Sequence, residues 1–408
     1  MRVELLTREY PPHVYGGAGV HVTELAAALR DRIGPAGPGA AGGPGGPGGL
    51  ADVTVRCFGP PRPEPWVVGY PEPALDLGMA LRTLAVAERI AADAGAADVV
   101  HSHTWYANAA GHLAQLAHGV RHVVTTHSLE PLRPWKAEQL GTGYAVSRWI
   151  ERSAVEAADA VIAVSEAMRR DVLAVYPRVR AERVHVIGSG IDTESFRPQP
   201  GTEALVAAGV DPARPYVLFV GRVTRQKGLA HLLAAAEQLL PGTQLVLVLG
   251  AADTPRIAAE TDRAIADLAA SPVTVVPIRR FVDRRSLCQL LTHAVAFVCP
   301  SLYEPQGIVN LEAMACGTAV VATAVGGIPD VVVDKETGLL VPFAAGDDAT
   351  GEPRDPTALA GRLAESLNTL IDDRDLAREL GTAGRERAVA EFSWKEIAGR
   401  VTEVYASL

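Results

Sequence analysis

Cysteine is scarce: Cys57, Cys288, Cys299 and Cys316 are the four thiols in 408 residues, and no two form a C-x-x-C pair. That argues against a disulfide framework and against a structural zinc, and it fits a reducing compartment, so a cytoplasmic protein is expected. Cys299 and Cys316 fall in apolar runs and read as small core residues. Positive charge is not in excess either. The 38 basic side chains face 47 acidic ones, for a formal charge of −9. This weighs against nucleic acid as the main partner and leaves room for a local basic pocket. No apolar run is long enough to span a membrane, and residues 1–6 read as a strand, not as a signal peptide. No D-x-D carboxylate cluster stands at a strand end, so neither a metal nor another cofactor is expected.

What the sequence does hold is alternation. Apolar runs at 3–7, 52–57, 98–101, 123–126, 158–164 and 184–187 read as buried strands separated by helical stretches. A proline-rich, charged crossing at 193–215 follows. The second half repeats the pattern at 216–220, 244–249, 273–277, 295–299, 318–322 and 337–341, and three helices close the chain. Repeated strand–helix units in two halves predict an α/β protein with two doubly wound parallel sheets, each with its own core. Residues 34–49 are almost pure glycine, proline and alanine and cannot build a core.

Three stretches carry chemistry. The first is 301–317, SLYEPQGIVNLEAMACG. Glu304 sits in a loop that Pro305 and Gly307 keep non-helical, and a helix starts near Ile308. The first amides of that helix, around Ile308 and Val309, point forward without internal partners and favour an anion. Glu312 lies about one turn further in. Two carboxylates split by a helix start can flank a phosphorylated sugar, and the plain reading is a surface loop followed by a solvated glutamate. The second stretch is 221–228, GRVTRQKG. Arg222 and Lys227 at a strand end can hold a diphosphate, the first as a planar fork and the second as a point charge. In the third, Glu9 and Tyr10 precede Gly16, Gly17 and Gly19, a glycine turn between a strand and a helix that could cradle phosphate. Histidines end two further strands. His101 and His103 share a strand face but lack a third metal ligand, and His103 is placed at a pocket mouth. His127 can donate to a sugar hydroxyl or a phosphate, since ligands of open parallel sheets bind at the carboxyl ends of strands. In the loop 131–141, with Arg133, Trp135, Lys136 and Gln139, the cations Arg133 and Lys136 could meet a phosphate or simply face water.

Taken in order, the run from 304 to 312, the Val325-Gly326-Gly327-Ile328-Pro329-Asp330 segment, Thr337-Gly338-Leu339-Leu340-Val341 and the 221–228 loop resemble the E-x7-E and G-R-x5-G regions of retaining GT-B glycosyltransferases of family 4. The likeness covers nearly the whole chain outside 34–49. It is strongest to actinobacterial-type glycogen synthases, a group that includes enzymes joining ADP-glucose to glucose 1-phosphate to give α-maltose 1-phosphate. The resemblance implies two Rossmann-like domains facing an interdomain cleft, 1–186 for the acceptor and 187–387 for the nucleotide sugar, with a last helix (388–408) returning to the first. It also implies roles. Arg222 and Lys227 bind the donor diphosphate, Glu304 orients the donor glucose and Glu312 takes the ribose hydroxyls. The Gly16–Gly19 loop closes on the donor or acceptor phosphate, with Gly16, Gly17, Gly19, Gly307, Ile308 and Val309 counted as donor-binding, and His127 supports the transferred sugar. Glu9, Tyr10, His103, Arg133 and Lys136 are assigned to the acceptor side, and Glu304, His127, Arg222 and Lys227 to the chemistry.

The chain departs from the pattern in three places. Val14 holds the place of a lysine that bacterial glycogen synthases carry before the paired glycines, Ser189 the place of an asparagine, and Gln306 that of an apolar residue. The partners expected are ADP-glucose with either glucose 1-phosphate or an α-glucan end, and a homodimer stays open. The competing readings are a family 4 enzyme with a UDP- or GDP-linked sugar and a lipid or small-molecule acceptor, a non-catalytic nucleotide-sugar binder, and a pyridoxal-phosphate-dependent phosphorylase. The short chain and the E-x7-E run speak against the last.

Overall fold

The computed structural model describes residues 1–14, 16–33, 49–74, 78–133, 140–346 and 351–408. Its contacts divide the chain into two units, Met1–Gly190 with Trp394–Leu408, and Ile191–Ser393.

The first unit contains β1 (Arg2–Thr7), α1 (Gly17–Arg30), β2 (Asp52–Phe58), β3 (Val67–Tyr70), α2 (Met79–Asp93), β4 (Val99–His103), α3 (Thr104–His118), β5 (Arg121–Thr126), α4 (Gly143–Ala157), β6 (Ala160–Ala163), α5 (Glu166–Val175) and β7 (Val184–Val186). All seven strands run parallel in the order β3-β2-β1-β4-β5-β6-β7. The alternation explains the layers: Val3 and Leu5 enter one apolar cluster and Leu6 another, so both faces of the sheet are covered. α5 starts where the sequence places it, because the Ser165 side chain accepts from the Met168 amide.

The second unit adds α6 (Glu203–Ala207), β8 (Tyr216–Val223), α7 (Leu229–Ala236), β9 (Gln244–Ala252), α8 (Pro255–Asp267), β10 (Thr274–Ile278), α9 (Arg284–His293), β11 (Ala296–Cys299), α10 (Ile308–Ala315), β12 (Val320–Thr323), α11 (Ile328–Val331), β13 (Gly338–Val341), α12 (Pro356–Asp372) and α13 (Arg374–Glu391). Its six parallel strands are ordered β10-β9-β8-β11-β12-β13. Val217 and Phe219 of β8 fill one core cluster, and Tyr216 and Leu218 fill the other. The segment read as a crossing belongs to this unit: Phe196, Leu205 and Val210 are buried in its core. The last helix, α14 (Trp394–Ala406), packs its Trp394, Ile397, Val401 and Tyr405 into the first unit's core.

Strand order reverses direction between β1 and β4 in the first unit and between β8 and β11 in the second. Such switch points open a crevice at the carboxyl ends of the strands. The residues singled out above follow β1, β4 and β5 in one unit and β8 and β11 in the other.

Candidate active site

In the second unit, Lys227 follows β8 in a short 3-10 turn that Thr224 caps by accepting from the Lys227 amide. Its ammonium donates to Glu304 Oε2 at 2.6 Å, and both side chains are largely buried. Ser301 Oγ adds a second donor to the same oxygen at 3.3 Å. Burial alone would lower the Lys227 ammonium, but the facing Glu304 carboxylate outweighs it and holds the pKa above its usual value. A lysine here is a choice, because only four of the 38 basic residues are lysine. A compact, strongly hydrated point charge suits a single phosphate oxygen better than a planar fork does.

Two glycines grip this pair through the backbone. Gly228 has φ +62°, and a Cβ there would collide with the Pro300 carbonyl. Gly326 has φ +56°, where a Cβ would collide with the Glu304 carbonyl, and the next amide, Gly327 N–H, donates to that oxygen at 2.9 Å. The Val325-Gly326-Gly327 segment thus fixes the loop that presents Glu304. Gly307, at φ +91°, is the N-cap of α10 and supplies no side-chain cap. The amides of Ile308 and Val309 open the helix there. Glu312 sits half-buried one turn in, its carboxyl pushed up to about 7 by removal from water, aided by the Cys288 thiol and opposed by Arg284 and Lys227. Arg222 stands apart: its exposed guanidinium pairs with Asp253 at 2.9 Å and leaves Glu304 to Lys227. A side chain on the α10 face was missed by the sequence reading. Asn310 is fully buried, with neither polar atom partnered among the described residues.

In the first unit the histidines converge. His103 is fully buried, which corrects its placement at a pocket mouth. Its Nδ1 lies 3.1 Å from His127 Nε2. His21, on α1, joins them with ring centroids 5.3 Å from His103 and 4.7 Å from His127, and its Nδ1 meets Ser189 Oγ at 2.8 Å. His101 is spoken for on both sides, by Tyr405 Oη and Thr125 Oγ1, each at 2.6 Å. Burial keeps these rings neutral: His127 is lowered to about 4, His101 to about 3, and His21 and His103 fall well below their ordinary value. Immediately after His103, Thr104 adopts φ +64°. That is a strained setting for a β-branched residue, and no local residue pattern signals it.

The glycine turn is occupied from within. Gly16, the N-cap of α1, donates its amide to Glu9 Oε2 at 2.7 Å, and a Cβ on Gly19 would press on the Glu9 side chain. The Glu9 carboxylate therefore takes the anion position at this helix start. Tyr10 lies in the core with its ring edge-on to Trp66, and burial raises its phenol. Arg133 donates to Ser128 Oγ at 2.9 Å. Lys136, Trp135 and Gln139 lie outside the described residues, as does most of the stretch 34–49.

Comparisons with known proteins agree with this geometry. The model of Glycosyltransferase Family 4 matches residues 15–195, and that of Glycosyl transferases group 1 matches 203–387. An alpha-maltose-1-phosphate synthase of Mycolicibacterium smegmatis is 54% identical over 99% of each chain. A glycogen synthase of Mycobacterium tuberculosis is 30% identical over 99% of this chain and 94% of its own. Among solved structures, sucrose-phosphate synthase from Thermosynechococcus elongatus superposes with a TM-score of 0.73 and 25% identity, covering 100% of this chain and 98% of that one. With both family models matched in sequence order, two parallel sheets and a paired lysine and glutamate at a switch point, the chain belongs to the GT-B glycosyltransferases of family 4 and is a hexosyltransferase.

Proposed function

We propose that this enzyme transfers glucose from ADP-glucose to glucose 1-phosphate with the anomeric configuration kept, giving α-maltose 1-phosphate and ADP. The observation that carries the reading is the Lys227–Glu304 contact at 2.6 Å beside the uncapped start of α10. It sets a cation and open amides for a phosphate next to a carboxylate for a sugar. The near-full-length likeness to an alpha-maltose-1-phosphate synthase supports the acceptor and product.

The bond from glucosyl C1 to the β-phosphate oxygen of ADP breaks. A bond from C1 to O4 of the acceptor forms on the same face, and the O4 proton passes to the leaving phosphate. Negative charge grows on that phosphate, where Lys227, Arg222 and the amides of Ile308 and Val309 stabilise it before it is fully formed. Arg222 first exchanges Asp253 for the diphosphate, which its exposed position allows. Glu304 orients the glucose and needs no covalent adduct, unlike the paired carboxylates of hydrolases. Glu312 accepts from the ribose hydroxyls. His127, neutral, takes a hydrogen bond at a hydroxyl of the transferred glucose, and Gly16–Gly19 receives the acceptor phosphate when Glu9 gives up its place.

The test offers the pure protein ADP-glucose with either glucose 1-phosphate or glycogen and follows products by mass spectrometry. A disaccharide phosphate in the first reaction, with glycogen much poorer, is expected. Extension of glycogen alone would replace the small acceptor by a polymer end, the reading favoured by the glycogen synthase relative.

A further inference from the structure

Three imidazoles from distant parts of the chain meet in the first unit: His21 on α1, His103 at the end of β4 and His127 just after β5. Each offers one ring nitrogen to a set whose members all lie within 4.8 Å of one another. Hydrogen bonding accounts for only part of this cluster. His103 Nδ1 faces His127 Nε2 at 3.1 Å, and His103 Nε2 is buried with no partner among the described residues. A neutral imidazole has one N–H and one lone pair, so either tautomer of His103 leaves a nitrogen unused. Buried polar atoms are rarely left so, and the nitrogens that face one another, His103 Nδ1 and His127 Nε2, are the pair that a cation can share with His21.

We propose that His21, His103 and His127 form a three-imidazole site for a borderline-soft divalent cation, zinc foremost, and that occupancy inhibits the enzyme. Nitrogens around tetrahedral zinc, with bonds of about 2.0–2.1 Å, stand about 3.3 Å apart. The 3.1 Å between His103 and His127 is already close to that, and His21 needs only a small approach. Ser189 holds His21 through Nδ1, which fixes the ring and leaves Nε2 free, the arrangement of an outer partner behind a metal-bound histidine. His127 is half-buried, which gives the ion its entry and leaves a fourth position for water or an anionic oxygen. The inhibitory half rests on the role given to His127 above: a metal that takes its lone pair takes it from the sugar.

Cobalt(II) reports such a site directly, because four-coordinate ligation by three nitrogens and one oxygen gives intense visible bands. The full-length protein, stripped with a chelator, is titrated with cobalt and then with zinc. One equivalent of visible bands, displaced by zinc, is expected. His21→Gln and His103→Gln should each weaken binding by about 100-fold or more, and Ser189→Ala by about 10-fold. His231→Gln, in the second unit, should bind as the unaltered chain does. Circular dichroism melts confirm that each variant is folded, and the Ser189→Ala result stands even where a ligand variant is not. Absence of the bands, or bands unchanged in His21→Gln and Ser189→Ala, overturns the site. Turnover measured at one equivalent of zinc tests the second half: loss of activity supports it. Full activity with the bands present overturns inhibition and removes His127 from the chemistry, while the metal site stands.

Discussion

In the first unit the switch point between β1 and β4 is lined by imidazoles, His21, His103 and His127, all neutral and mostly buried. In the second unit the same point, between β8 and β11, holds an ion pair, Lys227 with Glu304. Nine of the eleven histidines lie before residue 191. On the proposed reaction, the difference matches what stands at each point, the leaving diphosphate at Lys227 and a hydroxyl of the transferred glucose at His127. A leaving diphosphate gathers negative charge, and a fixed ammonium is what stabilises it. Sugar hydroxyls carry no charge, and neutral rings that both donate and accept recognise them without the desolvation cost of an ion.

The largest expected effect separates the units by pH. Histidines whose folded pKa is depressed contribute stability that is complete above the unfolded value near 6.5 and is lost as pH falls below it. His21, His101, His103, His122 and His127 are all depressed, His101 and His122 to about 3 and His127 to about 4. Each costs up to about 1.4 kcal/mol per pH unit below 6.5. Glu151, raised to about 8 by burial, works the other way, because its unfolded form ionises from about 4.5 upward. With six such histidines, His185 included, against two raised carboxylates, Glu151 and Asp171, the first unit should lose roughly 4–5 kcal/mol between pH 6.5 and 5.5. Hydrogen exchange at the two pH values should show the protection loss confined to β4, β5 and α1, and equal losses in β8 and β11 would break the contrast.

Next in size is Lys227→Ala. Removing one preorganised cation should lower kcat/KM by about 2–4 kcal/mol of barrier, roughly 30- to 1,000-fold. An unchanged value in steady-state assays would take the ion pair out of the mechanism. Gly326→Ala forces a Cβ against the Glu304 carbonyl at positive φ, and we expect a loss of about 2–3 kcal/mol in urea denaturation, read on the second unit. Glu312 sharpens the comparison from the other side. Its carboxyl, near 7, should protonate as pH falls, so KM for the nucleotide sugar rises a few-fold below pH 7 while kcat holds. Glu312→Gln should flatten that profile. The smallest effect belongs to the first unit: Thr104→Gly relieves a left-handed β-branched residue and should change the melting free energy by no more than about 1 kcal/mol, in the stabilising direction.

Local patterns in the sequence carried most of the second unit. The Ile308 start of α10, Glu304 in its loop and Lys227 at the end of β8 are set by nearby glycines, prolines and strand ends, and each is found where its spacing puts it. The Ser165 cap is local too. What escaped is non-local. No spacing could bring His21 to Ser189 across 168 residues, or both into reach of His127. Pairing His103 with His101 followed from strand periodicity, yet Tyr405, at the far end of the chain, had already taken His101. The positive φ of Thr104 runs against its own preference and is held by its surroundings. The burial of Tyr10 depends on Trp66, and the pairing of Arg222 on Asp253, 31 positions away.

The double backbone grip on the Glu304 loop also bears on how this enzyme could be altered. Gly228 and Gly326 touch carbonyl oxygens, not side chains, so they constrain where the loop sits and say nothing about what it recognises. Ile308 and Val309 lie between the two carboxylates, are half-buried and carry no such burden. A library that varies those two while holding the glycines would explore new donor sugars on an unchanged catalytic frame, with most members expected to fold.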